Sequence, residues 1–321
     1  MTATASDRAG GARRLEHWVP GVRAWRTYQR GWLLRDIVAA VVLSALLVPQ
    51  GMAYAELAGL PAITGLYTTV VCLVAYAVFG PSPYLVLGPD SSLGPIIAAI
   101  ILPLAAGSAE VAVGLAGILA LLVGAMCIGA GVAHLGFIAD LLSLPVRLGY
   151  MAGLGVVIVV SQLPALFGFD TDGGDIVADL EAFLTQLDET NLYALGIGLL
   201  ALGIIVGVRL LRPGSPSILI AVLVTMAISG LFDLAARGVE VVGVLPQGFP
   251  RPSLPAFDLA DLPLLIGGAV AITLVAVGDT VSVAAGFAAR RGRDVDTDQE
   301  IVAIGSANVA AGVFTGFPVS T

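Results

Sequence analysis

The stretch YLVLGPDSSLGPII, residues 84–97, puts an acid, two serines and two prolines inside a region whose neighbours are almost wholly apolar. Gly88 and Pro89 stop any helix from running through it. Asp90, Ser91 and Ser92 are residue types that cap helix starts, and Pro95 suits a first turn, where its missing N–H is not needed. A helix is therefore expected over 91–106, about 24 Å long at 1.5 Å per residue, too short to cross a ~30 Å hydrocarbon core. Its approach, residues 84–89, is non-helical backbone at membrane depth. Such backbone is tolerated only where protein buries it or a wet cavity meets it. The helix start offers unpaired N–H groups and the positive end of a helix dipole, which together can hold a small oxyanion without lysine or arginine. Discontinuous helices of this kind carry midplane binding sites in secondary transporters.

The rest of the chain supplies the membrane. Of 321 residues, 58% are hydrophobic and 12% charged, with a mean hydropathy of +0.97. Soluble domains are about half apolar and about a quarter charged. Apolar runs long enough to span are expected at 33–57, 62–79, 110–133, 146–167, 192–211, 217–235, 262–289 and 299–314, with the short one at 91–106 between the second and fourth. A further span begins at Ser320. All 15 basic residues are arginine. Threading the spans alternately from a cytoplasmic N-terminus puts the N-terminal arginines, Arg147, Arg209, Arg212, Arg290, Arg291 and Arg293 inside and only Arg237 and Arg251 outside. The predicted location is thus the inner (plasma) membrane, multi-pass, in contact with the lipid bilayer. The first 32 residues interleave arginines with Trp18, Trp25, Tyr28 and Trp32, as an interfacial segment would. The loop between the spans at 146–167 and 192–211 is acidic, and 238–257 reads as an extended, proline-rich outer connector. A net charge of −8 without a basic patch argues against nucleic acid as a partner. Cys72 and Cys127 sit in apolar runs as packing residues, without metal or disulfide spacing, and no cofactor is implied. His17 and His134 read as lone interfacial histidines.

A second cluster, GFPVST at 316–321, repeats the order glycine, proline, hydroxyl residue. Two spans precede each cluster within its half of the chain, as an inverted repeat requires. Ser320 and Thr321 would then face Asp90, Ser91 and Ser92 from the opposite side. Asp279 lies within the span at 262–289, followed by Thr280 and Ser282. An acid there costs about 2.5–3.5 kcal/mol, so it is functional by default, carrying a proton or a coordinated cation such as Na+ together with Thr280. A structural acid bonded to a neighbouring helix is the other reading. In the first span, Pro49 is expected to kink the helix, and Gln50 and Tyr54 share one face, toward substrate or as a packing hydrogen bond. Asp90 either caps its own helix locally or is protonated when an anion binds.

At these residues the sequence resembles the sulfate permease (SulP) family of anion transporters. The likeness lies in LVPQGMAYAELAGLPAITGLY, in LVLGPDSSLGP and in GDTVSVAAGFAARRGRDVDTDQEIVAIGSANVAAGVFTGFPVST. The resemblance implies an all-α polytopic fold of two inverted seven-span repeats with discontinuous half-helices, core and gate subdomains, and a cytoplasmic STAS domain to follow. It implies a substrate held between the half-helices, with contributions from the first and eighth spans, which gives Gln50, Tyr54, Asp90, Ser91, Ser92 and Asp279. The expected division is an N-terminal segment at 1–32, the first repeat at 33–237, the connector at 238–261, and the start of a second repeat, incomplete in this chain, at 262–321. Asp90 departs from the apolar or small residue usual after the glycine–proline pair.

The leading expectation is secondary transport, symport with a proton or Na+, of a small inorganic or carboxylate anion: sulfate, bicarbonate, chloride or a dicarboxylate. A nucleobase permease of the same architecture and a non-transporting fragment are the alternatives, and a homodimer is an admissible assembly. An enzyme is not expected. Intramembrane aspartyl proteolysis would need Asp90 and Asp279 to face each other, and a separation beyond about 10 Å would exclude it.

Overall fold

Backbone polar groups cannot turn to water in hydrocarbon, so the apolar runs satisfy them internally as helices. The computed structural model describes residues 19–136, 144–169, 176–213, 215–241, 248–250, 252, 258–289 and 296–321. The α-helices among them are α1 (Pro20–Arg26), α2 (Leu33–Leu57), α3 (Ala62–Phe79), α4 (Gly94–Ala105), α5 (Ala109–Val132), α6 (Leu144–Phe167), α7 (Ile176–Thr185), α8 (Leu192–Leu211), α9 (Ser217–Phe232), α10 (Leu262–Ala289) and α11 (Thr297–Val313). Among the described residues, five stretches, Arg30–Leu57, Ala62–Phe79, Ala109–Val132, Leu192–Leu211 and Leu259–Ala284, are long and apolar enough to cross a membrane. The fold is all-α and polytopic.

Four helices, α2, α3, α8 and α10, have the bounds expected from sequence. Two differences matter. The short helix α4 begins at Gly94 rather than at Ser91, because residues 91–93 form a turn closed by the Asp90 carbonyl, which accepts from Leu93 N and Gly94 N, both at 3.2 Å. Pro95 does fall in its first turn, and the helix ends at Ala106 and Gly107, both with positive φ. Helix α7 lies in the acidic loop where no helix was expected. Its Phe183 packs edge-on against Phe167 at 5.0 Å between ring centroids. Pro49 lies inside α2, which continues as helix on both sides of it. The connector expected at 238–257 lies for the most part outside the described residues, as do residues 1–18.

The residues divide into two compact units. One comprises Met1–Val41, Gln50–Leu144 and Pro246–Thr321 and holds α3, α4, α5, α10 and α11 with most of α2 flanking its start and end. The other comprises Val42–Pro49 and Pro145–Leu245, in which α8 packs on α9. There Asn191 Oδ1 accepts from Tyr193 N and Ala194 N to start α8, and Arg237 lies over the Tyr193 ring.

In the first unit the main seam is α5 against α11, antiparallel. It is made by glycines at seven-residue steps. A Cβ on Gly312 would meet Gly117 O at 2.6 Å, one on Gly305 would meet Gly124 O at 2.8 Å, and one on Gly131 would meet Asp298 O at 2.7 Å. Lipid tails are as apolar as leucine, so helices in a bilayer associate by packing, and backbones that touch need small residues between them. The seam holds α11 so that it also lies along α3. There the fully buried Glu300 accepts from Tyr76 Oη at 2.9 Å, and Gln299 Nε2 donates to Phe79 O at 2.9 Å. His134 is not solitary: its Nδ1 lies 2.8 Å from Asp298 Oδ2, across the end of the same seam.

Gly305→Ala is expected to destabilise the protein by about 1–3 kcal/mol, since the atoms its Cβ meets include backbone that cannot yield. Gly203→Ala on α8, with open space at its Cβ position, is the control and should be neutral or slightly stabilising. Thermal unfolding of the detergent-solubilised pair checks this; equal midpoints would show that the seam is not close-packed.

Candidate functional site

Beyond α3 residues 85–90 are neither helix nor turn, and beyond α11 the same holds for 316–320. Leaving a helix at this depth exposes backbone groups, and each segment answers the other. Gly88 N donates to Ser320 O at 3.1 Å and Ser320 N donates to Gly88 O at 3.2 Å, an antiparallel bridge between the two interruptions. Gly88, Pro89, Phe317, Pro318 and Val319 are buried around it. The sequence clusters GPDSS and GFPVST are thus one crossing point in space.

Asp90 lies at that crossing. Its carboxylate accepts from Ser92 N at 3.2 Å, from Ser92 Oγ at 2.5 Å and from Ser320 Oγ at 2.5 Å. The helix cap expected of Asp90 is not formed: Leu93 is the N-cap of α4, without a side-chain bond, while Asp90 Oδ1 takes the amide of Ser92 in the turn before it and Oδ2 reaches the other interruption. Helix α10 packs on α4, α5 and α11 and brings two adjacent side chains to the same place. Ser92 Oγ lies 3.4 Å from Asp279 Oδ2, and Thr280 Oγ1 bonds Thr321 Oγ1. Asp279 therefore meets the first interruption and Thr280 the second. Ser92, Ser320 and Thr280 are buried, Asp90, Asp279 and Thr321 half-buried.

Asp90, Ser92, Asp279, Thr280, Ser320 and Thr321 thus come together. Ser91 stays in the turn before α4, half-buried. Gln50 and Tyr54 form a pair of their own on α2, with Gln50 Nε2 donating to Tyr54 Oη at 3.3 Å. Three residues of the surroundings were missed at the sequence level. Cys72 Sγ lies 3.2 Å from Leu87 O, Thr68 Oγ1 accepts from Phe317 N at 3.3 Å, and Asn308 bonds Val319. All three sit on α3 or α11, the helices that lead into the interruptions. The available signal was a polar residue within an apolar span.

Chemically, the cluster is oxygen-rich. Two carboxylates share the Ser92 hydroxyl, and such a set suits a proton or a hard monovalent cation. The same hydroxyls, once released from Asp90, are donors for an anion, at the positive end of α4. Two carboxylates within reach of one hydroxyl also satisfy the proximity that aspartyl proteolysis needs. Their separation therefore does not exclude that chemistry.

The sulfate permease family model matches residues 33–321. A protein of Mycobacterium tuberculosis named as a probable sulfate transporter is 40% identical over 304 residues, covering 95% of this chain and 54% of the relative. The chloroplastic sulfate transporter 4.1 of Arabidopsis thaliana is 31% identical over 324 residues, covering 96% and 46%. The chain spans about half the length of these curated relatives. Among solved structures, the murine solute carrier 26 member A9 anion transporter in its inward-facing state superposes with a TM-score of 0.87 at 25% identity, over 100% of this chain and 56% of that one. The transmembrane domain of a cyanobacterial bicarbonate transporter shares the fold, with a TM-score of 0.78 at 23% identity over 91% and 75%.

The Asp90–Ser320 contact joins the two interruptions, so its energy is measurable as a coupling. Asp90→Asn, Ser320→Ala and the double variant, compared by thermal unfolding, should show an interaction of about 0.5–3 kcal/mol. Additive effects would mean that this hydrogen bond does not tie the crossing.

Proposed function

The chain belongs to the sulfate permease family, and on that footing we propose that it is a secondary active transporter of small inorganic or carboxylate anions, coupled to a proton or Na+. The family is one of transporters, and on this reading the chain is not an enzyme. The observation that carries the proposal is the crossing of two helix interruptions at Gly88 and Ser320, with hydroxyls and two carboxylates around it.

On this reading residues 33–237 form the first repeat and 262–321 begin the second, with the N-terminus in the cytoplasm of a cell whose inner (plasma) membrane holds the protein. Ser91, Ser92, Ser320 and Thr321 supply substrate donors, with Gln50 and Tyr54 lining the approach from α2. Asp279, with Thr280, carries the coupling ion. Asp90 links the two tasks. Its carboxylate uses the Ser92 and Ser320 hydroxyls that an anion would need, and its charge would repel one. A proton taken up by Asp90 removes that charge and loosens its hold on the hydroxyls. Uptake then increases as pH falls.

Uptake of radiolabelled sulfate, bicarbonate, chloride and succinate into proteoliposomes, under imposed proton or Na+ gradients, tests the proposal. At least one anion should accumulate with one gradient and not without it. Asp279→Asn should abolish coupled accumulation while leaving membrane abundance unchanged, and Asp90→Asn should flatten the pH dependence. Uptake of none of the four, or inhibition by uracil in place of anions, would overturn the anion reading. An unchanged pH profile and gradient response in Asp279→Asn would remove Asp279 from coupling.

A further inference from the structure

An extended segment has two edges. Each residue's N–H and C=O point to one side, and successive residues alternate. In 316–320 the edge carried by Ser320 pairs with Gly88. The adjacent residue, Val319, turns to the other side and meets a side chain. Asn308 Nδ2, on α11, donates to Val319 O at 3.1 Å, and Asn308 Oδ1 accepts from Val319 N at 2.9 Å. The second Nδ2 proton goes to Ile304 O at 3.0 Å. Asn308 is fully buried. Two carbonyls require the nitrogen and one N–H requires the oxygen, so the neighbours admit one orientation of the amide.

We infer that Asn308 is a positioning residue for the anion site, acting as a one-residue surrogate strand. Its carboxamide offers Val319 the donor and acceptor that a neighbouring peptide unit would offer. With Gly88 on the other edge, both sides of the segment are then fixed. That fixes which face of the segment carries the Ser320 side chain. A slip of one residue would exchange the edges and turn the Ser320 hydroxyl away from Asp90. A carboxamide supplies donor and acceptor side by side on so short a stem without having to be protonated. The first interruption has a lesser counterpart: Cys72, on the helix that leads into it, reaches Leu87 O at 3.2 Å, next to the bridging Gly88. A thiol is a weak donor and offers Leu87 one bond where Asn308 offers Val319 two. The segment bearing Ser320 and Thr321 therefore depends on its clamp more than the segment bearing Ser92 depends on Cys72.

This inference rests on the proposed anion site, and its test separates the two. Asn308→Leu keeps the branching of the side chain, with somewhat more bulk, and removes both polar functions. Asn308→Asp keeps the acceptor but, when ionised, turns an oxygen toward two carbonyls; when protonated it regains a donor. In proteoliposomes, with sulfate as first probe and bicarbonate, chloride and succinate as the others, Asn308→Leu should raise KM about tenfold or more, with Vmax per folded protein much less affected. Asn308→Asp should be similarly impaired at neutral pH and recover on acidification beyond the wild type's own pH response. A role in stability alone would lower abundance and Vmax without that recovery. Hydrogen exchange of the peptide spanning 314–321 should accelerate in Asn308→Leu while α5 keeps its protection. Wild-type transport with an unchanged KM in Asn308→Leu would overturn the inference. If the wild type carries none of the four anions, the functional proposal fails. The clamp is then judged by exchange alone, and unaltered exchange of 314–321 refutes it.

Discussion

Backbone that leaves a helix inside hydrocarbon has nothing to bond to except other backbone or side chains, and the Gly88–Ser320 pair is how this chain meets that constraint. Each interruption is the other's partner, so neither can form alone. Of their other polar groups, Leu87 O meets Cys72 and Phe317 N meets Thr68, both on α3, and Val319 meets Asn308 on α11. The crossing therefore requires α3 and α11 to lie side by side at a fixed register. Tyr76–Glu300 and Gln299–Phe79 are polar ties across that contact.

The position of α11 in turn comes from its glycine seam with α5. Hydrophobic burial does not drive helix association within lipid, and the alternative is backbone contact that a single methyl group would block. Gly117, Gly124 and Gly131 on α5 recur at the seven-residue step of Gly305 and Gly312 on α11, so the contact runs along the seam rather than touching at one point. A rigid seam is what a shared site needs. The Asp90–Ser320 contact spans residues far apart in sequence, and a sliding α11 would carry Ser320 out of reach of Asp90. Helix α10 adds the third wall, with Asp279 and Thr280 one residue apart and each meeting a different interruption.

Much of this was legible from residue types. Gly88–Pro89 and Gly316–Pro318 mark interruptions because proline and glycine end helices by geometry, whatever the tertiary context. Asp279 stands out because an acid in a span is costly. What was not legible depended on partners distant in sequence. The start of α4 shifted to Gly94 because the Asp90 carbonyl closes a turn first. Helix α7 was hidden by the acidic residues around it, since its apolar side is short and Phe183 finds its partner only at the end of α6. Asn308 looked like a small polar residue in a run of alanines and glycines. Its importance arises from Val319 turning one edge of an extended segment toward it.

Asp90 sets a full charge where a helix start offers only a partial one. On the proposed reading the family's device is a bare helix start that attracts an anion by partial charge. A full negative charge at the same point outweighs a helix dipole of roughly half a charge, so an ionised Asp90 would close the site to anions. Its position among Ser92, Ser320 and the reach of Asp279 gives that charge a means of neutralisation, by a proton or cation shared with a second acid. On the proposed reading, coupling needs no distant relay: the group that competes for the hydroxyls is the group that is neutralised, and an anion would enter only with the second ion.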